Sequence, residues 1–413
     1  MTDLKGRILE AVTSCRHEPL GFTKQLISTR TENPPGKSYH ECTQIISAKL
    51  DEIGIDHRVI KVPEGVSTAG QPQGSGQDGY PRYCILGLYG RGKPVLYFHG
   101  HYDVVPGASD AQFEPVVAGE RLIGRGSSDM KGGLAAMIYA IGAIKSCGIA
   151  LNGRIGITIV PDEETGGNLG SQYLVRSGLL GKDAVGALTP EPTEGVIWNA
   201  CRGAISLRLT VKGRHAHVGN HYEGINAFEQ MLVAARRFVE IREEISSRLT
   251  DFKIEPEDAK RSILLMGGEC SGGTSFNSVP ERCSFTVDRR FNPEEDLEEE
   301  KARLLGVIDD LRKDGIDIDV KILQEGESAG AAEEDRVGKV LAESVEEITG
   351  KRPAFEMCPG LLETRFYSLK GIPAYGYGPG LLSVSHGPGE FVYLKDLYTC
   401  TVVYALAAVR LLA

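Results

Sequence analysis

Two runs constrain the fold most: Val95–Phe98 (VLYF) and Ile155–Val160 (IGITIV) carry apolar or small residues on nearly every position. A strand with one wet face alternates apolar and polar residues, so runs like these belong to strands covered on both sides. Their neighbours alternate in kind. Strand-like CILGLYG and KPVLYFHG lead into helix-like GLAAMIYAIGAIKSCG, and strand-like RIGITIVP leads through helical GSQYLVRSG to DAVGALTP. Such alternation predicts an α/β fold, a mostly parallel sheet with helices on both faces. Ahead of it, residues 8–30 and 38–54 show helical spacing around an Asn33-Pro34-Pro35-Gly36 break, followed by strand-like HRVIKV. The Gly/Gln/Ser-rich stretch 64–80 reads as a surface loop or flap.

The pattern changes near Cys201. AISLRLTVKG, SILLMGGEC, CSFTVDRRF and IDIDVKIL read as strands, with helices predicted over 223–247 and 293–314. The first helix is expected to pack through Ile225, Phe228, Leu232, Ala235 and Val239. The second opens on acids and closes on Arg312 and Lys313, as its dipole prefers. This β-α-β-β-α-β order predicts a ferredoxin-like α+β insertion, a lid at 202–326. A catalytic domain formed by 1–201 and 327–413 surrounds it. At 413 residues the chain is too long for a single core of ordinary size.

Composition narrows the function. With 56 acidic and 46 basic residues the net charge is −10, which repels a phosphate backbone, and no basic run offsets it. Nucleic acid is therefore not an expected partner. Nine scattered cysteines without C-x-x-C spacing predict reduced thiols. The N-terminus lacks an apolar signal core, and the apolar C-terminal stretch, 399–413, is too short to span a bilayer. The expectation is a cytoplasmic protein with no membrane partner.

The informative residues are acids and histidines at predicted strand ends. In GHYDVVPG, His101 and Asp103 lie two apart and point to one side of an extended segment, so the acid can orient the histidine. His99 is assigned to the opposite side with a structural role. GRGSSDMKGG delivers Asp129 just before a helix, where capping is the plain alternative. PDEETGG sets Asp162, Glu163 and Glu164 side by side after a buried strand, where a divalent cation would relieve their repulsion. Glu191 stands between two prolines, and His386 lies in a Gly/Pro-rich loop. Two histidines and several carboxylates at different strand ends are the makeup of a two-metal hydrolytic site.

In these motifs the chain resembles the dinuclear zinc amidohydrolase and peptidase family of acetylornithine deacetylase, succinyl-diaminopimelate desuccinylase, aminoacylase and glutamate carboxypeptidase. GHYDVVP, GRGSSDMKGG, DEETGG and EPT occur in the family's order, and the likeness runs over essentially the whole length. The resemblance implies two divalent ions, zinc first with cobalt or manganese as alternatives. His101 and Glu191 would hold one, Glu164 and His386 the other, and Asp129 would bridge them. It implies a cis peptide between Asp129 and Met130, Asp103 as the orienting acid, and Glu163 as general base for an activated water. It further implies a homodimer through the lid, with His217 reaching the partner's site to stabilise the oxyanion, and Asn277 and Arg290 on a substrate carboxylate. The expected substrate is a small N-acyl amino acid, with a dipeptidase or carboxypeptidase on the same site as the alternative.

Two departures from the family pattern fall outside the metal set. His221 stands where proline is common, and LLETRFY replaces Thr-Asp-Ala-Arg, which makes Arg365 a candidate substrate contact and leaves Glu363 unassigned. Two other classes compete. GESAG at 326–330 matches the nucleophile elbow of serine hydrolases, with Ser328 as nucleophile, but leaves little chain for the rest of that fold. A non-catalytic relative would have lost a ligand or the base, whereas every position is filled.

Overall fold

A computed structural model describes residues 4–15, 17–66 and 79–413. Residues 67–78, most of the predicted flap, lie outside the described residues. The chain opens with α1 (Leu4–Ser14), α2 (His17–Ser28) and α3 (Tyr39–Ile53), then β1 (Asp56–Lys61), β2 (Tyr83–Gly90) and β3 (Val95–His101). Short strands β4 (Val116–Ala118) and β5 (Arg121–Ile123) precede α4 (Lys131–Ser146). Next come β6 (Arg154–Val160), α5 (Ser171–Arg176), β7 (Ala184–Pro192) and β8 (Ile197–Cys201).

The chain then builds a second layer pair: β9 (Gly203–Lys212), β10 (Ala216–His217), α6 (Ala227–Ser247), β11 (Ile263–Gly272), β12 (Ser278–Val279), β13 (Arg282–Phe291), α7 (Leu297–Lys313) and β14 (Ile318–Gly326). It returns through β15 (Ala329–Gly330), α8 (Arg336–Thr349), β16 (Phe355–Cys358), α9 (Thr364–Ser368), β17 (Ala374–Gly378), β18 (Phe391–Tyr393) and α10 (Leu394–Leu412).

The main sheet has the order β1-β2-β6-β3-β7-β17-β8-β15, with β16 beside β8. Its central strands β6, β3, β7 and β17 run parallel, while antiparallel pairing adds β1 and β2 on one edge and β15 on the other. Every residue of β3 is buried, as its continuous apolar run requires. On one face α4 and α10 pack into the core, with the Phe98 and Tyr404 rings 4.8 Å apart edge to face. Gly133 is forced by this packing: a Cβ there would overlap the Pro190 carbonyl oxygen, so only glycine brings α4 against the end of β7. Among the described residues no helix is long and apolar enough to cross a membrane. All nine cysteines are free.

The second sheet, β11-β13-β9-β14, is antiparallel throughout, which is the ferredoxin-like order, and α6 and α7 cover one face. Arg289, fully buried, donates to Glu300 (2.8 Å), which also accepts from Arg248 (2.6 Å), tying the helices to the sheet.

One expectation needs correction, and one competing reading is excluded. Helix α6 starts at Ala227, where Asn226 caps it by accepting from the Phe228 and Glu229 amides. It buries Ala227, Met231, Ala234, Phe238 and Ile245, whereas Phe228, Leu232 and Val239 are exposed. The helix carries two apolar faces, and the expected one is not the one on the sheet. Ser328 lies in the crossing from β14 to β15, strand to strand across two sheets, which is not the strand–turn–helix of a nucleophile elbow.

Candidate active site

The four central strands deliver the site at their C-terminal ends, where ligands bind in such sheets. His101 is the last residue of β3, Asp162–Glu164 follow β6, Glu191 is next to last in β7, and His386 lies in the loop after β17. Asp129 arrives from the turn that opens α4, and its peptide to Met130 is cis, as expected.

His101 is fully buried. Its Nδ1 lies 3.0 Å from the Asp103 carbonyl oxygen and 3.3 Å from Asp103 Oδ1. In the neutral ring an acceptor there keeps the proton on Nδ1 and leaves the Nε2 lone pair for a metal. Nε2 points at Asp129 Oδ1 (3.2 Å) and Glu191 Oε1 (3.8 Å), yet is buried without a hydrogen-bond partner. Across the same carboxylate, His386 Nε2 lies 3.2 Å from Asp129 Oδ2 and 3.1 Å from Glu164 Oε2. Two sets of donors result, His101–Asp129–Glu191 and Asp129–Glu164–His386; in each the donor atoms lie within 4.8 Å of one another.

Protonation tells the same story. Burial and the Asp129 charge push Glu164 up to about 7. Burial and the charges of Asp129 and other neighbouring acids push Glu191 up to about 8. Burial raises Glu163 well above the carboxylate range, helped by Glu191 and Glu164 and opposed by His101. His386 is pushed up to about 11 by its bonds to Asp129 and Glu164. Burial alone lowers His101, but the facing carboxylates of Asp103, Asp129 and Glu191 outweigh it and raise the group well above its usual value. Acids that hold protons beside imidazoles that cling to theirs form a cluster short of positive charge. Divalent cations supply that charge, so the donor set fits two of them with N and O ligands.

Asp103 links both halves of the cluster. Besides bracing His101, its carboxylate accepts from Asn33 Nδ2 (2.9 Å) and from the Glu163 and Glu164 amides (3.2 Å each). Among the described residues no hydrogen bond ends on the Glu163 carboxylate, whereas Glu164 accepts from the Val105 amide (3.2 Å).

The lid residues are arranged separately. β10 pairs with β12, setting exposed His217 opposite Ser278, and the Val218 amide donates to the Asn277 carbonyl (3.0 Å). No hydrogen bond or ion pair among the described residues joins His217 or Asn277 to the donor cluster of the same chain. Arg290 donates to Asp288 (3.0 Å) and reaches Gln324 (3.5 Å). Exposed His221 sets its ring edge to face against Tyr222.

Arg365, expected at the substrate, is 2% exposed and donates from Nη2 to the Gly166 carbonyl (2.8 Å), which places it beneath the acidic loop. His99 also needs correction: two residues before His101 in a regular strand, it shares that residue's side. There its Nε2 meets Glu363 Oε2 at 2.8 Å.

Sequence reasoning missed one buried pair. Arg125 Nη1 donates to Glu390 Oε2 (2.6 Å) and Nη2 to the His386 carbonyl (3.0 Å), while Glu390 Oε1 accepts from the Ser128 (2.9 Å) and Asp129 (3.1 Å) amides. The pair therefore fixes the backbone of two donors. Its only trace in sequence is a lone acid in a glycine-rich loop, which motif spacing cannot single out.

A family profile described as peptidase family M20/M25/M40 matches residues 97–410. The chain belongs to that family. This M20 member is a hydrolase of amide bonds. It is 27% identical to a succinyl-diaminopimelate desuccinylase of Alkalilimnicola ehrlichii over 409 residues, covering 96% of this chain and 99% of the relative. Its fold matches the Saccharomyces cerevisiae di-peptidase Dug1p with a TM-score of 0.79 at 13% identity, covering 99% of both chains. It also matches the Bacillus subtilis YXEP protein, described as a dinuclear metal binding peptidase of the M20 family, with a TM-score of 0.65 at 15% identity, covering 97% of this chain and 99% of the other.

Proposed function

We propose that the protein deacylates N-acyl amino acids, using two divalent ions held by His101, Asp129, Glu164, Glu191 and His386, with zinc the preferred metal. One observation carries the reading: buried His101 Nε2 has no hydrogen-bond partner, yet faces a carboxylate whose other oxygen faces His386. A buried donor atom left over in this way is a cost unless a ligand completes it.

Divalent ions bound there supply Lewis acidity, which acidifies a water and polarises the amide carbonyl. The chain supplies the rest. Glu163, whose carboxylate is free of hydrogen bonds, takes the proton from the attacking water and passes it to the departing amine nitrogen. Glu164 beside it is committed to metal, so one acid stays basic while its neighbour binds. Asp103 orients His101. Arg290 and Asn277 receive the substrate carboxylate, a guanidinium being suited to bind it through two parallel bonds.

The reading divides the chain into a catalytic domain, 1–201 with 327–413, and a lid, 202–326, that forms a homodimer. Support for the dimer is the uncovered apolar stripe of Phe228, Leu232 and Val239 on α6, beside edge strand β11 with Leu265 exposed. In the dimer His217 stabilises the oxyanion in the partner's site. The extensive desuccinylase likeness favours an N-acyl amino acid; the dipeptidase fold match keeps dipeptides as the second reading. We place the enzyme in the cytoplasm, where nine unpaired thiols stay reduced.

The test is a panel of N-acetyl, N-succinyl and N-formyl amino acids and dipeptides, assayed with added zinc, cobalt or manganese. Turnover of acylated substrates above dipeptides, abolished by a chelator and indifferent to a serine-directed inhibitor, supports the reading. Turnover of dipeptides alone contradicts it.

A further inference from the structure

We infer that Arg365 and Glu363 are positioning residues that hold the acidic loop from beneath and thereby fix Glu164, one half of the metal pair. The inference rests on the two-ion reading above. The loop from Asp162 to Gly167 ends in two glycines of positive φ, 100° at Gly166 and 72° at Gly167. Glycines bring no side chain to pack, so that end of the loop takes its position from its neighbours.

Those neighbours come from the start of α9. Arg365 donates to the Gly166 carbonyl (2.8 Å) and stacks its guanidinium 4.2 Å from the Phe366 ring centre. Glu363, 1% exposed, fits so closely under Gly167 that a Cβ there would lie 2.7 Å from its Oε1. Its other oxygen meets His99 (2.8 Å), and His99 meets Ser171 and Tyr367 (3.3 Å each). Tyr367 in turn bonds Thr158 (2.8 Å), so the brace is rooted in β3, β6, α5 and α9. Two buried charges with Glu363 Oε1 and Arg365 Nη1 left unpartnered are expensive as mere stabilisers of the fold. Their placement under the loop gives them a task.

The other donors have holds of their own besides α9. His101 and Glu191 lie at the ends of sheet strands, and Asp129 and His386 are fixed through Glu390 and Arg125. The brace therefore acts on the Asp129–Glu164–His386 set and spares the His101–Asp129–Glu191 set.

Calorimetric titration of the metal-free protein with Zn²⁺ alone tests this without any substrate. The wild type is expected to take two ions per chain. Arg365→Met and Glu363→Ala are expected to weaken one event about tenfold or more, the range for lost outer partners, and to leave the other within about twofold. His101→Ala identifies that other event by removing it. Arg365→Lys, which still donates toward Gly166, is expected to recover most of the loss. Should the first two variants fail to fold, Glu363→Asp, which keeps the charge but draws the carboxylate back from Gly167 and His99, decides, with the same selective weakening expected. Equal weakening of both events, or of neither, overturns the inference. A wild type that takes only one ion overturns the two-ion reading itself and this inference with it.

Discussion

His101 and His386 address the two oxygens of one carboxylate: their Nε2 atoms lie 3.2 Å from Oδ1 and 3.2 Å from Oδ2 of Asp129. A carboxylate shared in this way is the geometry of a bridge, and each histidine brings a glutamate of its own to complete a set. The predictions follow from that arrangement.

Glu163→Gln keeps the shape of the base and removes its basicity. We expect kcat to fall by about 10²–10⁴ with metal content unchanged. Steady-state kinetics beside elemental analysis checks both halves; activity within a few-fold of wild type would take the proton transfer away from Glu163.

Asp103→Asn removes the negative charge beside His101 Nδ1 and leaves one acceptor oxygen where two held the Glu163 and Glu164 amides. Metal affinity should fall about 10–100-fold, and at both sites, because Asp103 touches both halves. Competition against a chelating dye measures it, and a loss confined to one site would contradict the shared role.

The metal-free protein should lose stability as pH rises. Glu164, at about 7, and Glu191, at about 8, are raised chiefly by burial, so the folded state keeps protons that the unfolded chain releases. Their contribution is complete below the ordinary carboxylate range and is lost as pH climbs through those values. His386, raised to about 11, acts in the same direction above roughly pH 6.5. Asp129, held below its usual range, opposes them only under about pH 4. Thermal melts in a chelator should therefore show Tm falling between roughly pH 5.5 and 8.5, while added zinc removes the decline, metal replacing protons. A flat chelated profile would show that the cluster does not hold these protons.

Leu232→Glu places a charge in the exposed α6 stripe and should convert a dimer to monomers in sedimentation. Complementation tests the partner histidine: mixing His217→Ala with Glu163→Gln should restore activity that neither has alone, since a mixed dimer keeps one complete site. Failure to complement in a proven dimer would remove His217 from the partner's site.

The five donors were legible in the sequence because each stands in a short motif at the end of a buried strand, and His101 with Asp103 follows from strand geometry alone. The brace residues were not legible in the same way. Arg125 and Glu390 are single charges in glycine-rich loops, and only the fold reveals that they share the Asp129 and His386 backbones. Helix α6 misled for another reason. Phe228, Leu232 and Val239 form a genuine apolar stripe, but so do Met231, Ala234 and Phe238, and periodicity cannot say which one meets the sheet. Arg365 read as a substrate contact because LLETRFY stands where the family has Thr-Asp-Ala-Arg; its burial under Gly166 depends on a loop distant in sequence.

The most direct measurement is an anomalous difference map at the zinc edge from crystals grown with zinc. The account predicts two peaks roughly 3.5–4 Å apart, one against His101, Asp129 and Glu191 and the other against Asp129, Glu164 and His386. A single peak, or peaks that leave Asp129 untouched by either ion, would contradict it.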